Sequence, residues 1–398
     1  PAQQGRTLAL AGDGALALIS ASAVQARREA VAGAAGTLSI GAAAALQGTS
    51  VLLDGSAGLT LTLALDRADA QQAAALTLSA PSLLRGAAAA AEDGATVLQG
   101  PLLEALRASR ALSLAAYDRI AFLGEQDWAL RAADGAPTRV LDRLVLDAPQ
   151  IASTGRTDIA AREIVLRNSA GTTAAGGTPP EAGSSLQLQA LPPATSGRTG
   201  GLSIGPGSVQ LQAAEARLRS GGDIVLDGRG GLEATGDLTL SAARLSAESG
   251  AEQRLAADTG RLVVAREAGS RSLGELVGLG AELTLSAQTL HQGGVIDLPS
   301  GALSLQASGT EAGTAALTLA AGSRTSVAGV ALDNGRGFVV DSPAGAVQLQ
   351  AGRGAIVLDG AFDAGTARRS DGSPGEGDGG RVLITAAGDG GTLQLGPE

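Results

Sequence analysis

Short segments in which two apolar residues flank a polar one recur along the chain. Examples lie at 61–63, 76–78, 112–114, 186–188, 238–240, 283–285, 303–305, 317–319, 347–349 and 393–395. Because successive side chains of a strand point to opposite faces, each triplet places both apolar side chains on one face. Gly, Asp and Ser separate the segments, as turns require. The pattern predicts many short β-strands with one buried face.

The spacing of these segments indicates how the strands are arranged. Leu238 and Leu262 lie 24 residues apart, Leu283 follows after another 21, and Leu303 after another 20. Intervals near 20 match one coil of a β-solenoid, and the 14 residues from Leu303 to Leu317 match two strands within one coil. We therefore predict an all-β, parallel β-solenoid of about 20-residue coils with loop insertions. An antiparallel sandwich is the second choice, because few turn dipeptides of the hairpin type occur.

The regularity of the pattern divides the chain into three parts. Residues 1–82 are predicted to form solenoid coils, 83–200 less regular coils with insertions, and 201–398 the most regular coils. Segments rich in Gly, Pro, Ser and Thr at 170–200 and 364–380 are predicted to be exposed loops, the first interrupted by one strand.

Composition narrows the possible chemistry. The chain is 44% hydrophobic but only 1% aromatic, so Leu, Val, Ile and Ala must fill the core. It has no Cys and no Lys and a single His, which excludes thiolate metal sites, lysine Schiff bases and multi-histidine metal sites. The net charge of −10 disfavours nucleic-acid binding. No uninterrupted apolar run reaches the length of a membrane span. We expect no catalysis and no cofactor.

Three segments resemble a known family. They are "GGDIVLDGRGGLEATGDLTLSAARLSAESGAEQRLAADTGRLVV" from Gly221, "AGAVQLQAGRGAIVLDGAFDAG" with "GDGGRVLITAAG" from Ala344, and "LSLAAYDRIAFLGEQDWAL" from Leu112. They resemble the repeats and C-terminal parts of filamentous-haemagglutinin-family exoproteins. The resemblance implies a right-handed parallel β-helix that is exported by two-partner secretion and acts at the bacterial surface. Its partners would be an outer-membrane transporter and a host or bacterial surface receptor or glycan. The family's amino-terminal secretion module has no match, so this chain is expected to lie downstream of it.

One nucleophile motif and one glycine motif have a simpler structural interpretation. Gly201-Leu202-Ser203-Ile204-Gly205 matches the G-x-S-x-G nucleophile elbow, for which His291 is the sole available base. Ser203 is also the polar centre of an apolar triplet, and His291 precedes a turn. We interpret Ser203 as a strand residue and His291 as an exposed turn residue, and the Gly12 and Gly14 pair as a corner turn.

Two groups of acidic residues are candidate sites. Asp371, Glu376 and Asp378 lie among glycines and could bind Ca²⁺ through their oxygens, although a solvated loop is the alternative. Carboxylate pairs of the kind that β-helix polysaccharide hydrolases and lyases use in a groove could also form. The candidates for such pairs are Asp227, Glu233 and Asp237, or Asp359 and Asp363. Asp beside Gly is more typically a turn device.

The aromatic residues Tyr117, Phe122 and Trp128 lie within twelve residues of one another. They are candidates for stacking on a sugar or binding a receptor. Packing of a loop or cap against the solenoid is the favoured interpretation.

The sequence is compatible with three functions. The first, which the repetition favours, is a structural and adhesive rod of a secreted bacterial surface exoprotein, without catalysis. The second is a β-helix carbohydrate-active enzyme. The third is a stalk that presents a toxin encoded beyond residue 398.

Overall fold

The structure, a computed structural model, describes seven strands before residue 100 and most of the chain after residue 110. The described ranges are 7–10, 16–19, 37–41, 50–53, 60–64, 75–79, 96–98, 111–116, 119–128, 130–131, 137–139, 141–174, 179–192, 201–272, 274, 278–309, 311, 314–333, 339–369, 373–387 and 391–395. Side chains are described from Leu112 onward, except those of residues 130–131, 137–139 and 333.

All regular structure in these residues is β-strand. The strands are β1 Thr7–Leu10, β2 Leu16–Ile19, β3 Thr37–Gly41, β4 Ser50–Leu53, β5 Thr60–Ala64, β6 Ala75–Ser79, β7 Thr96–Leu98, β8 Ala111–Ala115, β9 Arg119–Leu123, β10 Gln126–Asp127, β11 Leu130–Arg131, β12 Pro137–Arg139, β13 Leu141–Asp147, β14 Gln150–Ser153, β15 Arg156–Arg167, β16 Ser185–Ala190, β17 Gly201–Ile204, β18 Gly207–Gln212, β19 Glu215–Ser220, β20 Ile224–Leu226, β21 Arg229–Ala234, β22 Asp237–Ala242, β23 Leu245–Ala247, β24 Glu252–Arg266, β25 Glu282–Gln292, β26 Val295–Asp297, β27 Ala302–Ala307, β28 Ala315–Leu319, β29 Arg324–Ser326, β30 Ala331–Asp333, β31 Val339–Asp341, β32 Ala346–Ala351, β33 Ala355–Leu358, β34 Ala361–Asp363, β35 Arg381–Ala386 and β36 Thr392–Leu395. No helix of the described residues is long and apolar enough to cross a membrane.

Parallel pairing dominates the fold. Twenty-nine of the described strands belong to one sheet, in which every assigned pairing is parallel. Antiparallel pairing is confined to β1–β2, β11–β12 and β30–β31 among the described strands. The prediction of an all-β fold built on parallel strands is thus confirmed, and the arrangement is consistent with a β-solenoid.

Successive strands from β17 onward return to three stacked series, which we name faces. The first face stacks β17, β20, β23, β26, β29 and β34. The second stacks β18, β21, the first half of β24, the first half of β25, β27, β32 and β35. The third stacks β19, β22, the second halves of β24 and β25, β28, β33 and β36. The chain therefore visits the faces in a fixed order.

The register confirms some of the predicted coil intervals and corrects others. Leu238 pairs with Leu262, and Leu283 pairs with Leu303, at the expected intervals of 24 and 20 residues. Leu262 and Leu283, however, lie on different faces, and the partner of Leu262 is Leu290. The interval is misleading because one strand covers two faces without a turn between them.

The core is a set of aliphatic columns formed by the inward side chains. On the third face Leu188, Leu218, Leu240 and Val264 occupy consecutive layers and are at most 2% exposed. Burying one such side chain contributes about 1.5–3 kcal/mol. Neighbouring layers are only about 4.8 Å apart, which favours aliphatic stacking over large rings. Phe122, a buried ring, accordingly pairs with the small Ser153 in the next layer.

Two loops skip a face of the solenoid in the described part of the chain. No second-face strand is described between β15 and β16, and β14 pairs directly with β18. No first-face strand is described between β24 and β25, and β23 pairs directly with β26. Arg219 anchors the second loop through a bidentate pair with Glu267, and this hydrogen bond raises the pKa of Arg219. The prediction of one strand within 170–200 matches β16. The divisions at residues 82 and 200 stay predictions.

Candidate functional site

The first face carries a groove of about 400 Å³, which we call the first-face groove. Its floor includes Asp297, Ser326 and Asp363, which pair in three consecutive layers of that face. One wall is Val330, beside the β30–β31 hairpin, and another comes from the segment that follows β34. Both walls belong to segments inserted between strands of the solenoid.

Two Arg–Asp groups organise the charge of the groove. Arg244 contacts Asp223 at 2.9 Å and Asp297 at 3.3 Å, and Arg324 contacts Asp363 at 3.1 Å. The Arg244 side chain is only 15% exposed and that of Asp223 is fully buried. A buried charge needs such a partner, because an uncompensated one costs several kcal/mol. These two arginines are therefore largely neutralised by the carboxylates beside them.

A third arginine in the groove keeps its charge available. Arg368 lies on the segment after β34, is exposed, and forms no ion pair with any carboxylate in the part of the chain that the structure describes. The segment that carries Arg368 is held at two places. The Arg368 backbone bridges to Pro374, and the neighbouring Arg369 donates to Asp341 at 2.7 Å.

Asp341 ties the two walls of the groove together. It ends strand β31, accepts hydrogen bonds from Arg369 and from the backbone N–H of Glu376 at 2.8 Å, and has a side chain only 5% exposed. The Arg369 hydrogen bond, followed by that of Glu376, lowers the pKa of the Asp341 carboxyl. The ionised carboxylate thus holds the segment after β34 against the hairpin.

A second groove lies on the third face around His291. It has a volume of about 590 Å³ and is lined by outward side chains of stacked strands, among them Thr239, Arg261 and Thr318. Ser203 lies instead on β17 of the first face, where it pairs with Val225. The structure therefore does not bring the serine and the histidine of the G-x-S-x-G hypothesis together. Gly12 and Gly14 lie outside the described residues.

The acidic candidates are distributed over different parts of the solenoid. Asp227 is exposed in the turn before β21, and Glu233 points outward from the second face. Asp237 begins β22 on the third face, where it accepts a hydrogen bond from the backbone of Arg261. These three residues do not form a carboxylate pair on one face, because the chain turns a corner between each of them.

Asp359 and Asp363, the other candidate pair, lie just before a short strand and at its last residue. Asp359 is exposed in the turn that precedes β34, and Asp363 ends β34 in the first-face groove. Asp363 is paired with Arg324.

The candidate calcium loop is described in part. Asp371 lies outside the described residues. Glu376 is 90% exposed with Arg369 3.7 Å away, and Asp378 is exposed. No group of three potential metal ligands occurs among the described residues. Calcium binding at Asp371, Glu376 and Asp378 stays a prediction.

Two of the three aromatic candidates are buried. Phe122 is fully buried and Trp128 is 4% exposed, with ring centroids 5.7 Å apart in an edge-to-face arrangement. The Trp128 indole N–H donates to Gln126 at 3.2 Å. Buried rings offer no open face for stacking on a ligand, so their geometry fits the packing interpretation rather than binding. Tyr117 lies outside the described residues.

The first-face groove is the feature that sequence reasoning missed. Arg244, Arg324 and Arg368 are separated by 80 and 44 residues, and nothing in their spacing links them. A signal does exist at one stacked position of β26, β29 and β34, which holds the polar residues Asp297, Ser326 and Asp363. That signal becomes visible only when the register of the three strands is known.

Comparisons of this chain with family models, with curated proteins and with solved structures give no match.

Proposed function

We propose that this chain is a structural and adhesive rod segment of a large secreted bacterial surface exoprotein, and that it does not catalyse a reaction. In this proposal the solenoid is a right-handed parallel β-helix of the filamentous-haemagglutinin type. The support from sequence is the resemblance of the repeats to that family. The support from structure is the uninterrupted parallel stack.

The observation that carries the proposal is the continuity of the third face. Ten described strands stack there from β10 to β36, each paired in parallel with the next. At about 4.8 Å per layer this face is about 43 Å tall. The two loops that skip a face interrupt the other faces and leave this one intact. Each layer contacts mainly its neighbours, so such a stack can extend to any length.

The same architecture suits export as an unfolded chain. A solenoid can fold layer by layer from one end, since each new coil only needs the previous one as a template. We propose that an outer-membrane two-partner-secretion transporter is the export partner and that the protein is presented at the bacterial cell surface. Its adhesive target is a receptor or glycan on a host or bacterial cell.

Adhesion and export are tested separately. Beads coated with the purified chain should bind host or bacterial cells more often than beads coated with a heat-unfolded sample of the same chain. Deleting the transporter gene should remove the full-length protein from the cell surface, as measured by antibody labelling. Equal binding by both bead types, together with unchanged surface labelling, would contradict the proposal.

A further inference from the structure

We propose that the first-face groove binds an acidic sugar, specifically a uronic acid unit, with Arg368 as the residue that pairs with the ligand carboxylate. This inference adds a ligand class to the proposed adhesive role and in that sense rests on it. Uronate binding, however, is measured on the isolated chain, without cells.

The size and rigidity of the groove suit a small ligand. A volume of about 400 Å³ lies within the range of about 300–1,000 Å³ that is typical of small-molecule sites. Its floor is a parallel sheet, and Asp341 fixes the wall on which Arg368 lies. A site held this way loses little conformational entropy when a ligand enters.

The charge pattern limits an anionic ligand to one negative group. Arg244 and Arg324 face three carboxylates, those of Asp223, Asp297 and Asp363, so these five groups together carry one net negative charge. The remaining cation is Arg368, and its guanidinium has the geometry to bind a carboxylate in a bidentate manner. A polyphosphate would require more uncompensated positive charge than the groove provides.

The remaining polar groups suit hydroxyls. Asp297 and Asp363 offer acceptor oxygens, and Arg324, which is 58% exposed, offers donors. Because both carboxylates already face an arginine, their attraction for a ligand ammonium group is weakened, whereas their capacity to accept hydrogen bonds from hydroxyls is retained. A ring bearing several hydroxyls therefore fits better than an amino acid.

The groove also has an apolar wall. Pro299, Ala328 and Val330 line the groove beside these polar groups. The C–H face of a sugar ring can pack against such a surface while its hydroxyls reach the charged side chains. A uronic acid combines one negative group, several hydroxyls and one apolar face, and therefore fits all three features of the groove.

The test is calorimetric titration of the whole chain with galacturonate and glucuronate. Galactose, inorganic sulfate and the zwitterionic dipeptide glycylglycine are titrated separately as comparison probes. We expect millimolar or tighter binding of at least one uronate, and at least tenfold weaker binding of galactose. The variant Arg368→Gln should bind that uronate at least tenfold more weakly, since a hydrogen bond to a charged group contributes about one factor of ten or more.

Arg353→Gln is the matched control. Arg353 is an exposed arginine in the turn between β32 and β33, away from the groove. This variant should bind the uronate like the unsubstituted chain, and circular dichroism should show both variants folded. Arg368→Lys should recover part of the affinity, since it restores the charge without the bidentate geometry.

Several results would overturn the proposal. They are absence of uronate binding, equal binding by Arg368→Gln, sulfate binding as tight as uronate binding, or a preference for glycylglycine. Because the titration uses the isolated chain, its failure leaves the bead-adhesion result unaffected. Conversely, uronate binding without cell adhesion would contradict the adhesive role but not the ligand class.

Discussion

Gln292 provides the sharpest test of how the corners of this solenoid are held. It is the last residue of β25 and is fully buried in a third-face column, between Val264 and Leu319. Its side-chain oxygen accepts the backbone N–H of Gly294 at 2.9 Å. Its side-chain nitrogen donates to Gly294, Arg324 and Thr325 at 3.2–3.3 Å. We predict that Gln292→Leu destabilises this corner, although leucine matches the apolar column better.

The magnitude follows from the groups that lose a partner. The Gly294 N–H would be left buried without its acceptor, at a cost of about 1–3 kcal/mol. The Gly294 carbonyl still accepts from the backbone N–H of Arg324, so its loss is small. The contacts that the Gln292 nitrogen donates are at the long end of the hydrogen-bond range and contribute less. With some recovery from the buried leucine, the net destabilisation is about 2 kcal/mol.

Hydrogen exchange measured by mass spectrometry is the suitable assay, because a solenoid can open locally and a single global transition is not assured. A local loss of about 2 kcal/mol corresponds to about 30-fold faster exchange for amides near residues 292–296. Gln288→Leu is the matched control, since Gln288 is half-buried in the same strand and its side chain makes no hydrogen bond within the described part of the chain. The control should stay within about 0.5 kcal/mol. If the two variants exchange at the same rate, the hydrogen bonds of Gln292 do not hold the corner.

Three further predictions address the core, the packing of layers and the groove. Leu240→Ala should lower the free energy of local unfolding, measured by hydrogen exchange of the β22 amides, by about 2–5 kcal/mol, because Leu240 fills a column at 1% exposure. The outward Ser241→Ala should change this free energy by no more than about 0.5 kcal/mol, and similar losses for the two variants would refute the assigned orientation. Gly345→Ala should weaken the β27–β32 pairing, because a Cβ at Gly345 would overlap the backbone oxygen of Gly301. The measurement is faster hydrogen exchange of the amides in these two strands. Gly379→Ala, where a Cβ meets open space, should have no such effect. The depressed pKa of Asp341 stabilises the segment 373–380 at every pH above the ordinary aspartate value, about 3.9, and this contribution is lost as the pH falls through the lower folded-state value. Exchange of the Glu376 amide, corrected for its intrinsic pH dependence, should therefore be constant from neutral pH to about pH 4 and accelerate below it, whereas Asp341→Asn should exchange faster throughout and lack that step.

The sequence by itself determined the local character of the chain. Alternation of apolar and polar residues showed which side chains of a strand are buried, because this depends only on the direction in which neighbouring side chains point. The scarcity of aromatics was in turn enough to predict thin aliphatic columns. Leu238 with Leu262 and Leu283 with Leu303 were placed in the correct layers because only short turns join the strands of these two coils, which keeps their lengths at 24 and 20 residues.

The tertiary structure decided everything that depends on which strand lies above which. Loops of different length separate the layers, so Leu303 pairs with Val347 across 44 residues and Leu262 pairs with Leu290 rather than reaching Leu283. The same non-local register moved Ser203 and His291 to different faces and brought Arg244, Arg324 and Arg368 to one groove. Alternation is a property of neighbours along the chain, whereas a binding surface on a solenoid is a property of neighbours between coils, and the loops that set that relation carry no periodic signal.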